Sequence, residues 1–419
     1  MEKIAFLFPG QGSQYVGMMK NFYDQYEIAR QTYEEANHIL GFDLAKLSFE
    51  GSLFDLNKPS NMQPALLTAS VVAYRVYMEE IGINPQFCAG HSLGEYAALA
   101  CSGAMTFGDA VRITKRRGEL TELITDEADG AMTIIDGADE EMIRRACEQV
   151  STDTAWSAIS CYNASSQYAI SGHQDSIEQV ESILLDQDAQ TTPLMMSAPF
   201  HSRLMELAGE QLGVELANYR FHPFKWPVVS NVTATPYTEA GRITGLLQRQ
   251  LSQPVKWAQT MQYLKKHGVT LTIELGPKNV LSGLVEMDKL GMKSFAYGQK
   301  EDRKALKELL DQAVVSRPRP TVVTKCMAAA VATPNRNWDQ EEYQKGVVEP
   351  YKQIQQLQEE LEAADQAPTT EQMKQSLGWL GTIFETKQVE QEERDDWFHQ
   401  ILDETGQYYL WSDLKVTTA

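Results

Sequence analysis

The sequence predicts an α/β protein: a large domain on a parallel sheet, a smaller inserted α/β subdomain, and a helical C-terminal extension. Three observations predict it. In the first 125 residues, short apolar runs ending in glycine turns alternate with helical stretches, the order of a parallel sheet with crossover helices. Between residues 129 and 197 the order changes to strand, helix, strand, strand, helix, strand. From about Ser316 the chain turns polar and Gln/Glu-rich with helical periodicity.

Taken in order, IAFLF (4–8) is a buried strand ended by Pro9-Gly10-Gln11-Gly12. Residues 15–46 have helical spacing, and 61–80 form an apolar helix with Pro64 in its first turn. QFCAG (86–90) is a short strand, followed by the helices EYAALACSG (95–103) and DAVRITKRRGELTELI (109–124). In the insert, GAMTIID, AWSAISCYN, SSQYAISG and TTPLMMS are strands, and EEMIRRACEQV and DSIEQVESILLD are helices. That order is the ferredoxin-like, split-βαβ arrangement. WPVVSNV (226–232), a helix around 243–265 and the strand VTLTIELG (269–276) return to the large domain. The expected boundaries are 1–128 with 198–315 for the large subdomain, 129–197 for the small one and 316–419 for the extension.

In that extension RPRPTVV is a proline-punctuated linker, and 338–362 is a polar helix with Val347, Ile354, Leu357 and Leu361 as its apolar stripe. TTEQMKQSLGWLGTIF opens on a capping threonine and sets Met373, Leu377 and Leu380 on one face; EERDDWFHQILDE is a third helix. Trp338, Trp379, Trp397 and Trp411 lie here, a composition unlike that of a disordered tail.

Bulk properties narrow the function. At 419 residues, with 43% apolar and 9% aromatic residues, the chain has the make-up of a globular protein of two or three packed units. A formal charge of −20 argues against nonspecific nucleic-acid binding, which needs a basic footprint. Cys88, Cys101, Cys147, Cys161 and Cys326 are scattered without CxxC spacing, the pattern of reduced thiols in a cytoplasmic protein with no metal site. PGQG interrupts the N-terminal apolar run before a signal-peptide core forms, and no stretch nears the roughly 20 apolar residues of a membrane span.

One motif carries chemistry. GHSLGEY (90–96) places Gly-x-Ser-x-Gly between an apolar strand and a helix, the layout of an α/β-hydrolase-like nucleophile elbow. The helix start below the serine supplies backbone N–H groups and a favourable dipole for an oxyanion. The alternative is a tight turn with a capping serine. A serine needs a base. His38, His267 and His399 lie in polar helical stretches and read as solvated, His222 precedes a proline in a loop, and His173 is in a turn. By strand alternation His91 points away from the serine or lines the wall. His201, in SAPFHSRLM where the chain leaves the insert, is the candidate base.

FPGQGSQ (8–14), QPALLTAS (63–70), GHSLGEY (90–96), Arg117-Gly118, GAM (130–132), SAPFHS (197–202), QLSQPVKW (250–257) and ELGP (274–277) occur in this order. Together they resemble the malonyl-CoA:acyl-carrier-protein transacylases of fatty-acid and polyketide synthesis, over residues 1 to about 310. The resemblance implies that Ser92 carries the malonyl group as an ester with His201 as general base, a dyad without a triad aspartate. A backbone carbonyl of the Gln250 region orients His201, and the N–H groups of Gln11 and Leu93 form the oxyanion hole. Arg117 holds the malonate carboxylate, with Gln63, His91 and Asn163 lining the cleft, and Phe200 resembles the malonyl-selective variant. A guanidinium gives that carboxylate a two-pronged partner that lysine cannot reproduce. Read by itself, ITKRRGEL would make Arg117 one of several solvated cations.

The implied partners are malonyl-CoA and a phosphopantetheinylated carrier protein, with no cofactor, metal, membrane or nucleic acid, in a monomer. Lys115, Arg116, Lys256, Lys265, Lys266 and Lys278 are candidates for a basic docking face. Two positions depart from the family: Tyr162-Asn163-Ala164-Ser165-Ser166 replaces an Asn-Ser-Pro-Gly loop, and Ile134, where many relatives have alanine, is expected to crowd the insert's core. The extension resembles those of discrete transacylases serving hybrid peptide–polyketide assembly lines, including lipopeptide producers. The rival readings are a housekeeping fatty-acid transacylase, a proofreading thioester hydrolase, and a scaffold whose tail recruits a synthase.

Overall fold

β1 (Ile4–Phe8) is apolar at every position and buried at every position, as the central strand of a sheet covered on both faces must be. In the computed structural model, which describes residues 2–127, 129–194, 197–316, 321–364, 366, 368–405 and 407, it pairs in parallel with β2 (Phe87–Gly90) on one side and β8 (Leu271–Glu274) on the other. β7 (Val228–Val229) and β9 (Lys293–Ala296) complete a five-stranded parallel sheet of order β7-β2-β1-β8-β9. The register sets Phe8 beside Gly90 and Leu7 beside Glu274, so β1, β2 and β8 end together at one edge. Loops leaving the carboxyl ends of parallel strands form the usual ligand crevice of such sheets. The helix Pro59–Glu80 packs against the helix Phe107–Glu127, and fifteen of its 22 residues are buried, which accounts for its apolar character on all sides.

The insert is β3 (Gly130–Asp136), β4 (Ser157–Ala164), β5 (Gln167–His173) and β6 (Gln190–Pro193), antiparallel and ordered β4-β5-β3-β6. Helices Glu140–Val150 and Gln174–Leu185 cover one face, giving the ferredoxin-like layout. Ile135, Ile143, Ile159, Ile170, Val180 and Leu184 are among its core residues. Ile134 stays half-buried outside that core, because strand alternation turns it to the other face; the expected crowding does not occur. Ser165 and Ser166 make the turn from β4 to β5 without Pro-Gly, and Asp288 accepts from the Ser165 N–H at 2.7 Å.

The helix expected around 243–265 is two helices, Ile243–Gln250 and Trp257–Lys266. Pro254, with no N–H to donate, lies between them. There the chain runs extended, and Val255 pairs in parallel with Cys161 of β4, exchanging hydrogen bonds with Ser160 and Tyr162. This strap therefore joins the insert to the large sheet. WPVVSNV and VTLTIELG shrink to the strands β7 and β8. Met195 and Met196, in the last predicted strand of the insert, lie outside the described residues.

A second compact unit begins at Leu310. Residues 317–320 of the predicted linker lie outside the described residues, but its TVV is not linker. Thr321 closes a capping box on the helix Val322–Ala332, satisfying the first-turn donors. The polar helix runs from Gln340 to Ala364 with a π turn at Gln344–Val348, just ahead of Pro350, whose ring gives the preceding turn no donor. Val347, Ile354, Leu357, Leu361, Met373, Leu377 and Leu380 share its core with residues of the helix Gln391–Thr405. Trp379 and Trp397 pack on that core, Trp338 is 89% exposed, and Trp411 lies outside the described residues.

Candidate active site

Three glycines fold the elbow tight. A Cβ on Gly90 would sit 1.9 Å from the Gly94 carbonyl carbon, and one on Gly94 would sit 1.9 Å from the Phe8 carbonyl oxygen. One on Gly10 would meet the His91 carbonyl oxygen at 2.5 Å. The turn can therefore press against β1 and the Pro9–Gly12 loop only if these positions lack side chains. Ser92, between β2 and the helix Gly94–Cys101, is driven to φ 49°, a left-handed conformation that lifts its side chain off the sheet.

Ser92 Oγ lies 2.8 Å from His201 Nε2. His201 Nδ1 lies 2.7 Å from the Gln250 carbonyl oxygen, which can only accept; the proton is therefore on Nδ1, and the Nε2 lone pair faces the serine hydroxyl. His201 is itself at φ 61°, and its N–H donates to the Leu251 carbonyl. The end of the helix Ile243–Gln250 thus holds the imidazole by ring and by backbone.

Arg117 stands on the opposite wall, 1% exposed. Its Nη1 donates to Gln63 Oε1 at 2.8 Å and its Nη2 to Ser92 Oγ at 3.2 Å. Tyr96 and Phe200 lie 5.4 and 5.3 Å from its guanidinium carbon, within cation–π range. Its Nε is buried without a hydrogen-bond partner, and no carboxylate pairs with it among the described residues. The sequence context of solvated cations was misleading here: Lys115 and Arg116 are the ones at the surface, both facing Glu119.

His91 Nε2 and Asn163 Oδ1 are 2.9 Å apart, joining the elbow to β4 of the insert. The Gln11 side chain reaches Ser197 Oγ at 3.4 Å. Neither the Gln11 nor the Leu93 backbone N–H is committed to an acceptor among the described residues. The structure thus gathers Ser92, His201, Arg117, Gln63, Phe200 and Gln250 in one contact network, with Leu93 next in chain to the serine. The close approach of Gly10 to His91 carries Gln11 to the same edge. Among the other histidines, His38 and His267 are exposed and His399 is half-buried; His267 Nδ1 and His399 Nδ1 lie 2.8 and 2.9 Å from the carbonyls of Tyr263 and Asp395. Lys278, one of the docking candidates, donates to the Gly12 carbonyl.

Sequence reasoning missed a buried group behind the dyad. Asn231 accepts from the Ser92 N–H at 2.7 Å and donates to the Gly90 carbonyl at 2.6 Å. Glu95, fully buried, accepts from Tyr237 and from the Gln250 side chain. An acid in the first turn of an otherwise apolar helix was the available signal for Glu95. Nothing comparable marked Asn231 or Tyr237.

Burial, then the Arg117 charge, pushes His201 down to about 3, against the opposing hydrogen bond to Gln250. Its base form therefore prevails at neutral pH. An unfolded histidine titrates near 6.5, so as pH falls from there toward 3 the unfolded chain binds a proton that the folded one does not. The His201 contribution to stability is present above about 6.5 and is lost on acidification. Relative to wild type, His201→Gln should gain stability on going from pH 7 to pH 5, read from urea midpoints. An identical pH dependence in both proteins would contradict this.

Among the described residues no group of three or more His, Cys, Asp or Glu is placed to hold a metal, and all five cysteines are buried and free. No helix among them is long and apolar enough to cross a membrane.

Residues 5–302 match the acyl transferase domain family. A malonyl CoA-acyl carrier protein transacylase of Bacillus subtilis is 38% identical over 390 residues, 93% of this chain and 98% of that one. The chain belongs to the malonyl CoA-acyl carrier protein transacylase family. The transacylase of Escherichia coli strain K12 is 41% identical over 287 residues, 68% of this chain and 93% of its own. A malonyl-transacylase solved with its type II PKS acyl-carrier protein is 36% identical, with TM-score 0.70, over 73% of this chain and 99% of that one. Like its relatives, this transacylase combines a parallel sheet with a small antiparallel one; its second unit is extra to the part shared with the E. coli protein. A match over 93% of the chain means that the Bacillus relative shares most of that unit too.

Proposed function

We propose that this transacylase moves a malonyl group from malonyl-CoA to the phosphopantetheine thiol of a carrier protein through a malonyl-Ser92 ester. The observation that carries the reading is Arg117: a buried guanidinium without a carboxylate partner among the described residues, 3.2 Å from the serine oxygen. A buried cation of this kind is stabilised by an anionic ligand, and a malonyl group brings a carboxylate on the far side of its reactive carbonyl. Gln63 fixes the guanidinium plane, and Tyr96 and Phe200 flank it.

In the forward half-reaction His201 Nε2 takes the Ser92 proton as Oγ bonds to the thioester carbonyl carbon. The oxyanion is held by the uncommitted N–H groups of Gln11 and Leu93. The carbon–sulfur bond then breaks, and His201 returns the proton to the CoA sulfur. The carrier thiol repeats these steps in reverse order. The Gln250 carbonyl stands where a triad acid would, keeping the proton on Nδ1.

The client is proposed to be a polyketide or hybrid peptide–polyketide carrier, served in trans. This is supported by the likeness to a malonyl-transacylase solved in complex with its type II PKS acyl-carrier protein. The test incubates the chain with malonyl-CoA and a phosphopantetheinylated carrier, from a synthase or from fatty-acid synthesis, and weighs each carrier by intact mass. A malonyl adduct formed faster on the synthase carrier is expected. Faster loading of the fatty-acid carrier would reassign the client, and free malonate with both carriers unmodified would make the protein a hydrolase.

A further inference from the structure

Ser92 sits on the elbow, His201 is anchored by the end of the helix Ile243–Gln250, and one buried acid on the elbow helix reaches that anchor. We propose that Glu95 is a positioning residue for acyl transfer, locking the elbow to the base through the Gln250 side chain. This rests on the catalytic reading of Ser92 and His201 given above.

Gln250 faces the site twice. Its carbonyl orients His201, while its Nε2 donates to the Ser92 carbonyl at 2.9 Å and to Glu95 at 2.6 Å. Both Nε2 partners are acceptors, which settles the amide orientation: a flipped amide would set oxygen against oxygen. The amide oxygen is left buried without a partner. A buried acceptor is costly to leave unpaired, so the Ser92 and Glu95 bonds must offset that cost. Glu95 in turn is held on three sides, by Tyr237 Oη at 2.5 Å, Gln250 Nε2, and the Asn231 N–H at 3.3 Å. Asn231 is the residue that grips the Ser92 N–H and the Gly90 carbonyl. The serine's backbone thus reaches the imidazole's anchor by two routes, directly through Gln250 Nε2 and through Asn231 and Glu95.

Three donors converge on two oxygens, which a carboxylate accommodates fully and an amide does not. Burial raises this carboxyl to about 7, and the same three donors oppose the shift. Glu95 reaches no reacting atom; it acts through Gln250 and Asn231.

The test measures Ser92 acylation in the full chain with two reagents. One is malonyl-CoA. The other is an organofluorophosphonate, which phosphonylates an activated serine with loss of fluoride and reads the dyad whether or not malonyl is the donor. Gln250→Met keeps the carbonyl on His201 but deletes both Nε2 bonds. It should slow both reactions about tenfold, the loss of roughly one well-placed hydrogen bond. Its KM for malonyl-CoA should stay within about twofold, because Arg117 and Gln63 are untouched. Glu95→Gln should have a similar effect, and the double variant should be no slower than the slower single, as expected for one linked unit. A merely structural Glu95 would lower the melting temperature and leave this split unmoved. Gln250→Met rates within twofold of wild type, or additive effects in the double variant, would overturn the proposal; Gln250→Met alone decides it if Glu95→Gln does not fold. A wild-type protein that takes the phosphonate but not malonyl would sink the malonyl reading and leave this test intact.

Discussion

Replacing Ser92 with alanine should abolish the covalent malonyl-protein and cut transfer to the carrier by about 10⁴-fold or more, the scale on which nucleophile removal acts in dyads and triads. The geometry argues for so large an effect. Ser92 Oγ lies 2.8 Å from the imidazole Nε2 and 3.2 Å from a guanidinium nitrogen. With it gone, His201 has no hydroxyl to activate, and the bound malonyl thioester meets only water. The alanine fits: Ser92 is half-buried, and its hydroxyl is no part of the Asn231 and Gln250 contacts that hold the backbone of the elbow. The melting temperature should therefore change little. The decisive reading is the mass of the protein after brief exposure to malonyl-CoA. A malonyl adduct on the alanine variant would place the nucleophile elsewhere and overturn the assignment.

The second large effect should come from Arg117→Ala. A malonyl carboxylate left in this cleft without a partner loses an interaction worth about 3–5 kcal/mol, so kcat/KM for malonyl-CoA should fall by about 10²–10³-fold or more. Acetyl-CoA behaves oppositely. It has no carboxylate, so in the wild-type protein it buries the guanidinium unpaired, and removing Arg117 removes that penalty. The ratio of malonyl to acetyl transfer should therefore collapse from both ends. Arg117→Lys should recover only part of the malonyl rate, because an ammonium cannot hold Gln63 Oε1 and a two-pronged carboxylate in one plane. Competition between the two thioesters, read by mass of the loaded carrier, measures this directly. Malonyl kcat/KM within tenfold of wild type in Arg117→Ala would refute the role.

The parallel sheet and the insert were legible because their strands announce themselves through apolar runs and turn glycines, and the elbow because its glycines have a steric reason visible in the motif. Arg117 was legible only through resemblance: from ITKRRGEL nothing tells which cation the helix Phe107–Glu127 turns inward, and the answer depends on what packs against it. The break at Pro254 was misjudged for a similar reason. Helical spacing runs through both flanks, and only the pairing of Val255 with β4, a contact across about ninety residues of chain, makes an extended strap the better state. Asn231 and Tyr237 gave no sign, since each is defined by a partner far away in sequence. In the second unit the capping box at Thr321 was written in the residues, but the prolines just before it concealed a helix start as a linker.

The same strap ties the proposed acyl site to the insert. Within a few residues it carries the carbonyl that steadies His201, the pairing of Val255 with the insert, and Trp257 against the His91 ring, 5.5 Å between centroids. Spreading the two halves to admit a bulkier acyl group would drag on the very backbone that keeps the imidazole in register. On the proposed mechanism the protein should behave as a fixed gauge rather than an adjustable clamp. Its tolerance for substrate size should be retuned by trimming wall side chains such as Phe200, while loosening the joint would trade away the base.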